Sequence, residues 1–531
     1  MMKHQMVMIV VMLSIVLFAA CNSTPQTATI EATAVSVVED ATSSPQPEAT
    51  VEILPTAEFE PTETAVPMDE AESEPIDDNE ARQLLQALLT PEGNHASEAV
   101  ARIIAANDTR FISVFLELSR ARQIGLIAHL NYAALIDGLE VLSGQSFDRD
   151  WAGWIKWYGA TDLQPPPGFT TWKGILLSGI DPGFGEFLQD RYPSNIRPEE
   201  ILWGGVLVDG IPALDYPTMI APDEATYLNE WDPVFGIAIN GEAKAYPLRI
   251  LDWHEMANDI VGGVPVSLAY CTLCGAAIAY DGRSVDANGD EITYDFGSSG
   301  FLYRSNKLMY DRQTRTLWNQ LTGEPVLGTL VDKDIKLELL PVVLTTWADW
   351  QAQHPNTLVV DEDTGFRRDY TPGAAYGNYF AAEETMFPVW LQDDVRPLKD
   401  QVYALNVDGV PKAYPLDLLT EAGVVNDQVG DTAVTLIANR GVVEVDGNNQ
   451  YVGEVTYQAG GEVRAYARGE YVFTATDNPD EVVDEAGDIW QVTEEGLVAE
   501  DGRILSRING HLAYWFGWYA FYPETKLYEG N

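Results

Sequence analysis

The sequence predicts an α+β protein, with a small N-terminal α-helical domain followed by a β-rich module of two tandem homologous copies. Three observations lead there. Apolar residues recur at helical spacing between residues 84 and 118. A stretch beginning Asp232-Pro-Val-Phe and ending Lys-Ala-Tyr-Pro-Leu248 returns as Asp400 to Leu416, at an offset of 168 residues. Finally, no helix long enough for a parallel crossover alternates with the strand signals of that module. The 531 residues are 46% apolar, enough for several buried cores at roughly 150 residues per domain.

Residues 1–20 read as a secretory signal. Lys3 and His4 precede an apolar run from Met6 to Ala20 that is shorter than the ~20 residues a membrane span needs. Phe18-Ala19-Ala20-Cys21 resembles a bacterial lipobox, which implies lipid attachment at Cys21 and a membrane partner through that anchor. The expected location is extracytoplasmic. Residues 21–79 are rich in Pro, Thr and Glu. From Asn22 to Glu80 there are 15 acidic residues and no Lys or Arg, a composition that builds a solvated tether and no core.

Residues 80–160 carry the helix-period positions Leu84, Leu85 and Leu88, then Val100, Ile103 and Ile104, then Phe111, Val114, Phe115 and Leu118. Breaks at Pro91-Glu92-Gly93 and Asn107-Asp108 separate them. The pattern resembles a HEAT-like helical module, a type that often presents a surface to protein partners. Trp151, Trp154, Trp157 and Tyr158 close it as core aromatics.

The β-rich copies are expected over 161–365 and 366–531. Asn240-Gly241 and Asp408-Gly409 supply the positive φ angles of tight hairpin turns between alternating strands. Pro247 and Pro415 then open short helices, and strands follow near 264–270 and 433–437. Phe296-Gly-Ser-Ser-Gly300 reads as a tight turn rather than a nucleotide loop.

Chemistry-bearing residues occur in the first copy alone. Cys271-Thr-Leu-Cys274-Gly275 aligns with Asn439 and Val442 at its cysteine positions, and His254 aligns with Ala422. Joint absence from the second copy makes the three a candidate single site. One reading is a metal centre of Cys271, Cys274 and His254, with Met309 as a soft fourth ligand that favours copper before zinc. Another is a thiol–disulfide couple with His254 tuning a thiol. The third is a static disulfide in a non-catalytic binding scaffold. A c-type haem is excluded because Gly275 stands where that motif needs histidine. With 81 acidic against 31 basic residues and a formal charge of −50, the surface repels phosphate backbones, which excludes nucleic acid as a partner. His354 aligns with Tyr522 and is read as structural.

These residues together resemble the family called domain of unknown function 3179. The resemblance is carried by Asp209-Gly-Ile-Pro-Ala-Leu-Asp215, Lys244-Ala-Tyr-Pro-Leu248, His254-Glu255, Asn258-Asp259, Tyr270 to Gly275, Phe296 to Gly300, Met309-Tyr-Asp-Arg312 and Leu317-Trp318. It spans roughly 200–529 and implies no activity. Thr272 departs from the Cys-Pro-Leu-Cys-Gly pattern usual there.

Overall fold

The computed structural model describes residues 74–530. The expected signal segment, Cys21 and nearly all of the tether lie outside the described residues. Helices come first. Asp77 caps Asp78–Leu88 by accepting from the Asn79 and Glu80 amides at 2.8 Å. His95–Ala106 ends where Asn107 turns left-handed, at φ 49°, in the break expected at that position. Ile112–Gln123, Tyr132–Ser143 and Trp151–Gly159 follow, with Trp154 and Tyr158 buried and Trp151 and Trp157 packed at the edge of the same core.

Helical structure runs on past residue 160, in Phe169–Leu177 and Phe184–Phe187. The helices also share a core with Leu202, Leu302 and Trp390 of the later chain, so their apolar face is closed by β-rich partners. Lys173 fixes that junction. Its ammonium is fully buried and reaches Glu117 Oε1 at 2.5 Å and the carbonyls of Pro198, Glu199 and Ile201 at 3.1, 3.2 and 2.5 Å. No helix among the described residues is long and apolar enough to cross a membrane.

From residue 201 on the protein is mostly antiparallel sheet. Strands Pro233–Ile239 and Glu242–Pro247 form a hairpin around Asn240 and Gly241, whose φ angles are 49° and 81°. Gln401–Val407 and Val410–Pro415 pair the same way around Asp408 and Gly409, at 50° and 81°. A parallel strand borders each second arm, Leu358–Val360 in one case and Lys526–Leu527 in the other. Short helices Leu248–His254 and Leu416–Ala422 follow, with Pro247 and Pro415 at their N-caps.

Further pairs of contacts recur between 232–360 and 400–528. Trp350 Nε1 donates to Thr357 Oγ1 at 2.9 Å, and Trp518 Nε1 to Thr525 Oγ1 at 2.9 Å. The Asn258 amide holds both main-chain groups of Phe296, and the Asn426 amide both of Phe473. The two stretches then diverge. After Val264–Cys271 the chain returns at once as Ala276–Asp281 beside it. After Thr432–Ile437 it leaves for the hairpin Val442–Asn449 and Gly453–Gly461 before it rejoins the sheet at Arg464–Ala467.

Phe296 to Gly300 is not the tight turn expected. It lies inside the buried strand Phe296–Tyr303, where the register shifts between Ser298 and Leu302 and Gly300 takes φ 81°. Gly300 serves that bulge, and Gly297 a close approach, since a Cβ on it would lie 2.5 Å from Asp209 Oδ1.

Candidate functional site

The site is built on a hairpin. Cys271 is the last residue of Val264–Cys271, and it stands opposite Ala276, the first residue of the return strand. Thr272 to Gly275 make the turn between them. Gly275 has φ 61°, and a Cβ there would meet the Tyr514 ring at 3.3 Å, so backbone angle and space both favour glycine. The turn is clamped from outside. Tyr514 N donates to Cys274 O at 2.7 Å, and the Tyr379 hydroxyl to Leu273 O at 2.6 Å.

Cys271 and Cys274 are joined in a disulfide, with Cα atoms 5.4 Å apart. Both are buried, Cys271 2% exposed and Cys274 fully enclosed. Met309 packs in the same core cluster as the two cysteines. His254 is held elsewhere. Its Nδ1–H donates to Pro212 O at 2.8 Å, which assigns the proton because a carbonyl can only accept, and Nε2 then accepts from the Tyr370 hydroxyl at 2.6 Å. Thr364 Oγ1 lies 2.6 Å from the same hydroxyl and completes the chain. Both ring nitrogens are therefore used. The four-residue metal set expected from the sequence is not assembled, and no group of three or more His, Cys, Asp or Glu placed to hold a metal ion occurs among the described residues.

Burial pushes the His254 imidazole down to about 4, against the pull of its Pro212 hydrogen bond. The folded protein thus binds fewer protons than the unfolded chain between that value and the usual 6.5 or so. Stability from this residue is complete above pH ~6.5 and falls toward pH 4, by at most about 3 kcal/mol. The urea midpoint is expected to drop over that interval, and His254→Gln to flatten the drop. A midpoint independent of pH from 7 to 4 would contradict it.

The groups that do face the cysteine turn are charged. Glu255 follows the helix Leu248–His254 at φ 54°, a left-handed position after a helix that favours glycine. The corresponding residue of the second stretch is Gly423, at φ 69°. Glu255 accepts from Thr272 Oγ1 at 2.8 Å and from the Tyr376 hydroxyl at 3.5 Å. Lys307 Nζ meets both its Oε2 and its backbone carbonyl at 3.2 Å. Lys307 is buried, and that burial lowers its proton affinity while Glu255 restores part of it. A non-glycine residue kept at a strained angle, with its carboxylate bonded on two sides, is the kind of outlier from which function can be argued.

Two features extend the cluster. Asp252 is buried, leaves Oδ1 without a hydrogen-bond partner, and has its carboxyl pushed well above the usual range by burial and then by Glu255. A cavity of about 40 Å³ is lined by Glu255, Cys271, Thr272, Lys307, Tyr376 and Ser298, among others. Thr272 thus matters more than its place between the cysteines suggested. A proline, usual at that position in the family resembled above, has no donor for Glu255.

Glu255, Lys307, Tyr376 and Asp252 were not among the site residues expected. A signal for Glu255 was present, as a non-glycine residue aligned with Gly423 just beyond a short helix. Lys307 is 52 residues from Glu255 in sequence, and nothing local links them.

A family model described as "Protein of unknown function (DUF3179)" matches residues 208–525, which takes in the whole cysteine turn with Glu255 and Lys307. No curated protein and no solved structure matches the chain.

Proposed function

The chain belongs to the DUF3179 family of proteins of unknown function, and from that premise, which supplies no activity, we propose that Cys271 and Cys274 form a redox-active dithiol–disulfide couple. One observation carries the reading. The disulfide shares its cavity with the buried Lys307–Glu255 ion pair. A bridge that only staples a hairpin needs no charge beside it, and removing two ions from water is costly. Beside a thiol the pair has a use, since an ammonium favours thiolate and a carboxylate can take up or return its proton.

In the reductive direction the thiolate of an external dithiol attacks one sulfur and forms a mixed disulfide, which its second thiol resolves. Cys271 and Cys274 then hold two more electrons and two more protons, and the external dithiol leaves as a disulfide.

The setting is part of the proposal. A lipid on Cys21 and a tether that ends before the helix Asp78–Leu88 hold the protein outside the cytoplasm, where disulfides persist. The stretches 232–360 and 400–528 are two copies of one unit. The recurring hairpins, the parallel border strands and the matching Trp–Thr and Asn–Phe bonds favour this. Only the first copy carries the couple. The helices of 80–160 form a HEAT-like face for a protein partner.

Native protein equilibrated anaerobically with excess dithiothreitol, then denatured and alkylated, is expected to show two thiols at Cys271 and Cys274 while circular dichroism reports an intact fold. Thiols that appear only as the fold is lost would leave a structural bridge. Copper or zinc retained near one per reduced chain, and lost on Cys271→Ser/Cys274→Ser substitution, would instead support the metal centre expected from the sequence.

A further inference from the structure

The redox reading leaves open what reacts with the couple, and the cavity beside it restricts the answer. Cys271 lines that space and Cys274 does not. Cys274 faces the other way. A Cβ placed on Gly517 would lie 2.9 Å from Cys274 Cβ and 2.9 Å from Asn306 Oδ1, so a close-packed helix Trp515–Tyr519 covers it. With Cys271 only 2% exposed and Cys274 fully buried, the cavity is the space from which a reactant meets sulfur.

Its size selects among oxidants. A water needs about 10–15 Å³ of such volume, so about 40 Å³ admits a molecule of two heavy atoms directly, whereas a tripeptide disulfide, or the external dithiol of the reductive step, reaches Cys271 only through local opening of the lining and so reacts more slowly. Its walls are mixed, with Val206, Ile211, Leu302 and Leu308 on one part and the Lys307 ammonium, the Glu255 carboxylate and the Thr272 hydroxyl beside Cys271 on another. A small hydrogen-bonding oxidant can meet the polar part next to Cys271, and a bulky hydroperoxide is too large for the space.

Resting on the redox reading, we propose that hydrogen peroxide is the oxidant of the reduced pair, and that Cys271 is the residue it attacks while Cys274 resolves. The Cys271 thiolate displaces hydroxide from peroxide. The O–O bond breaks, an S–O bond forms, and the hydroxide leaves as water with the proton that the Lys307–Glu255 pair took up from the Cys271 thiol, so the pair ends as it began. The Cys274 thiol then attacks the sulfenic sulfur, the S–S bond forms, the S–O bond breaks, and its hydroxide leaves as a second water with the Cys274 proton. The balance is one dithiol and one peroxide to one disulfide and two waters, with two electrons passing from sulfur to oxygen. Asn306 Oδ1, buried without a partner in the disulfide form and packed against the same glycine as Cys274, is an acceptor that a Cys274 thiol could satisfy.

The test uses the full chain, reduced anaerobically and freed of reductant, exposed to equal concentrations of hydrogen peroxide, cumene hydroperoxide or oxidised glutathione. Loss of thiols is read by quenched alkylation and mass. Hydrogen peroxide is expected to act faster than either larger oxidant by at least about tenfold, the equivalent of 1.4 kcal/mol in barrier. In Cys274→Ser the sulfenic acid is expected on Cys271, trapped as a dimedone adduct, whereas Cys271→Ser gives none at Cys274. Equal rates for oxidised glutathione and peroxide, or an adduct on Cys274 alone, would overturn this inference while the couple itself stood. A pair that never reduces in the folded protein would remove the redox reading, and the inference with it.

Discussion

Lys173→Met is expected to destabilise the protein by about 3–5 kcal/mol, a large share of the 5–15 or so that holds a typical domain. The Lys173 side chain is fully buried and satisfies one carboxylate and three carbonyls. Its removal leaves Glu117, whose carboxyl burial already pushes up and Lys173 pulls down, without its main partner. The carbonyls of Glu199 and Ile201 lose this donor in the same step, while Pro198 keeps the Ile201 amide, and a buried group left unpaired costs about 1–3 kcal/mol. The unfolding midpoint in urea measures the loss. Adding Glu117→Leu removes the stranded charge and is expected to recover part of it, the remainder belonging to the carbonyls. Full stability in the single variant would show that the helices do not depend on this junction.

Lys307→Met is expected to cost a similar amount, about 3–5 kcal/mol, at the cysteine turn. It leaves the buried Glu255 carboxylate with two hydroxyl donors, from Thr272 and Tyr376, and no cation. The informative variant is the pair Lys307→Met with Glu255→Gly. It deletes both charges and places glycine at φ 54°, as Gly423 stands in the second stretch. Relief of a left-handed non-glycine residue contributes about 1 kcal/mol, so the double variant is expected to be markedly more stable than Lys307→Met alone. Its cysteine couple should nevertheless react more slowly, because neither an ammonium nor a carboxylate remains beside Cys271. A double variant as unstable as the single one would show that the stranded charge is not what destabilises.

Local pattern made much of the fold legible. The turns Asn240-Gly241 and Asp408-Gly409 declare themselves through residue type alone, and the Asn107 break and the strands near 264–270 and 433–437 follow from the same rules. Phe296 to Gly300 misled for an instructive reason. Two glycines around two serines suit a turn, but here Gly300 serves a bulge and Gly297 lets Asp209 and Tyr310 approach the backbone. The α+β class was readable, while the burial of the helices against Leu202, Leu302 and Trp390 was not, since no local period reports a long-range partner.

At the site, comparison of the two stretches pointed to a grouping that the structure does not assemble among the described residues. His254, Cys271 and Cys274 are missing together from the second stretch, yet His254 donates to Pro212 and accepts from Tyr370, away from the cysteine turn. Its neighbour Glu255 is the residue that reaches that turn. One step along a chain reversing out of a helix changes which way a side chain faces, and sequence alignment cannot resolve that step. Lys307 carries no signature, since a lysine in a strand is ordinarily solvated.

The central claim is that the Cys271–Cys274 bond opens and closes in the folded protein. Its most direct test is the reduction potential of the native full chain, equilibrated across dithiol buffers and read as the fraction of alkylated pairs. The account predicts a value in the range of working dithiol couples, about −120 to −270 mV. A potential below about −300 mV, the region of structural bridges, would contradict it.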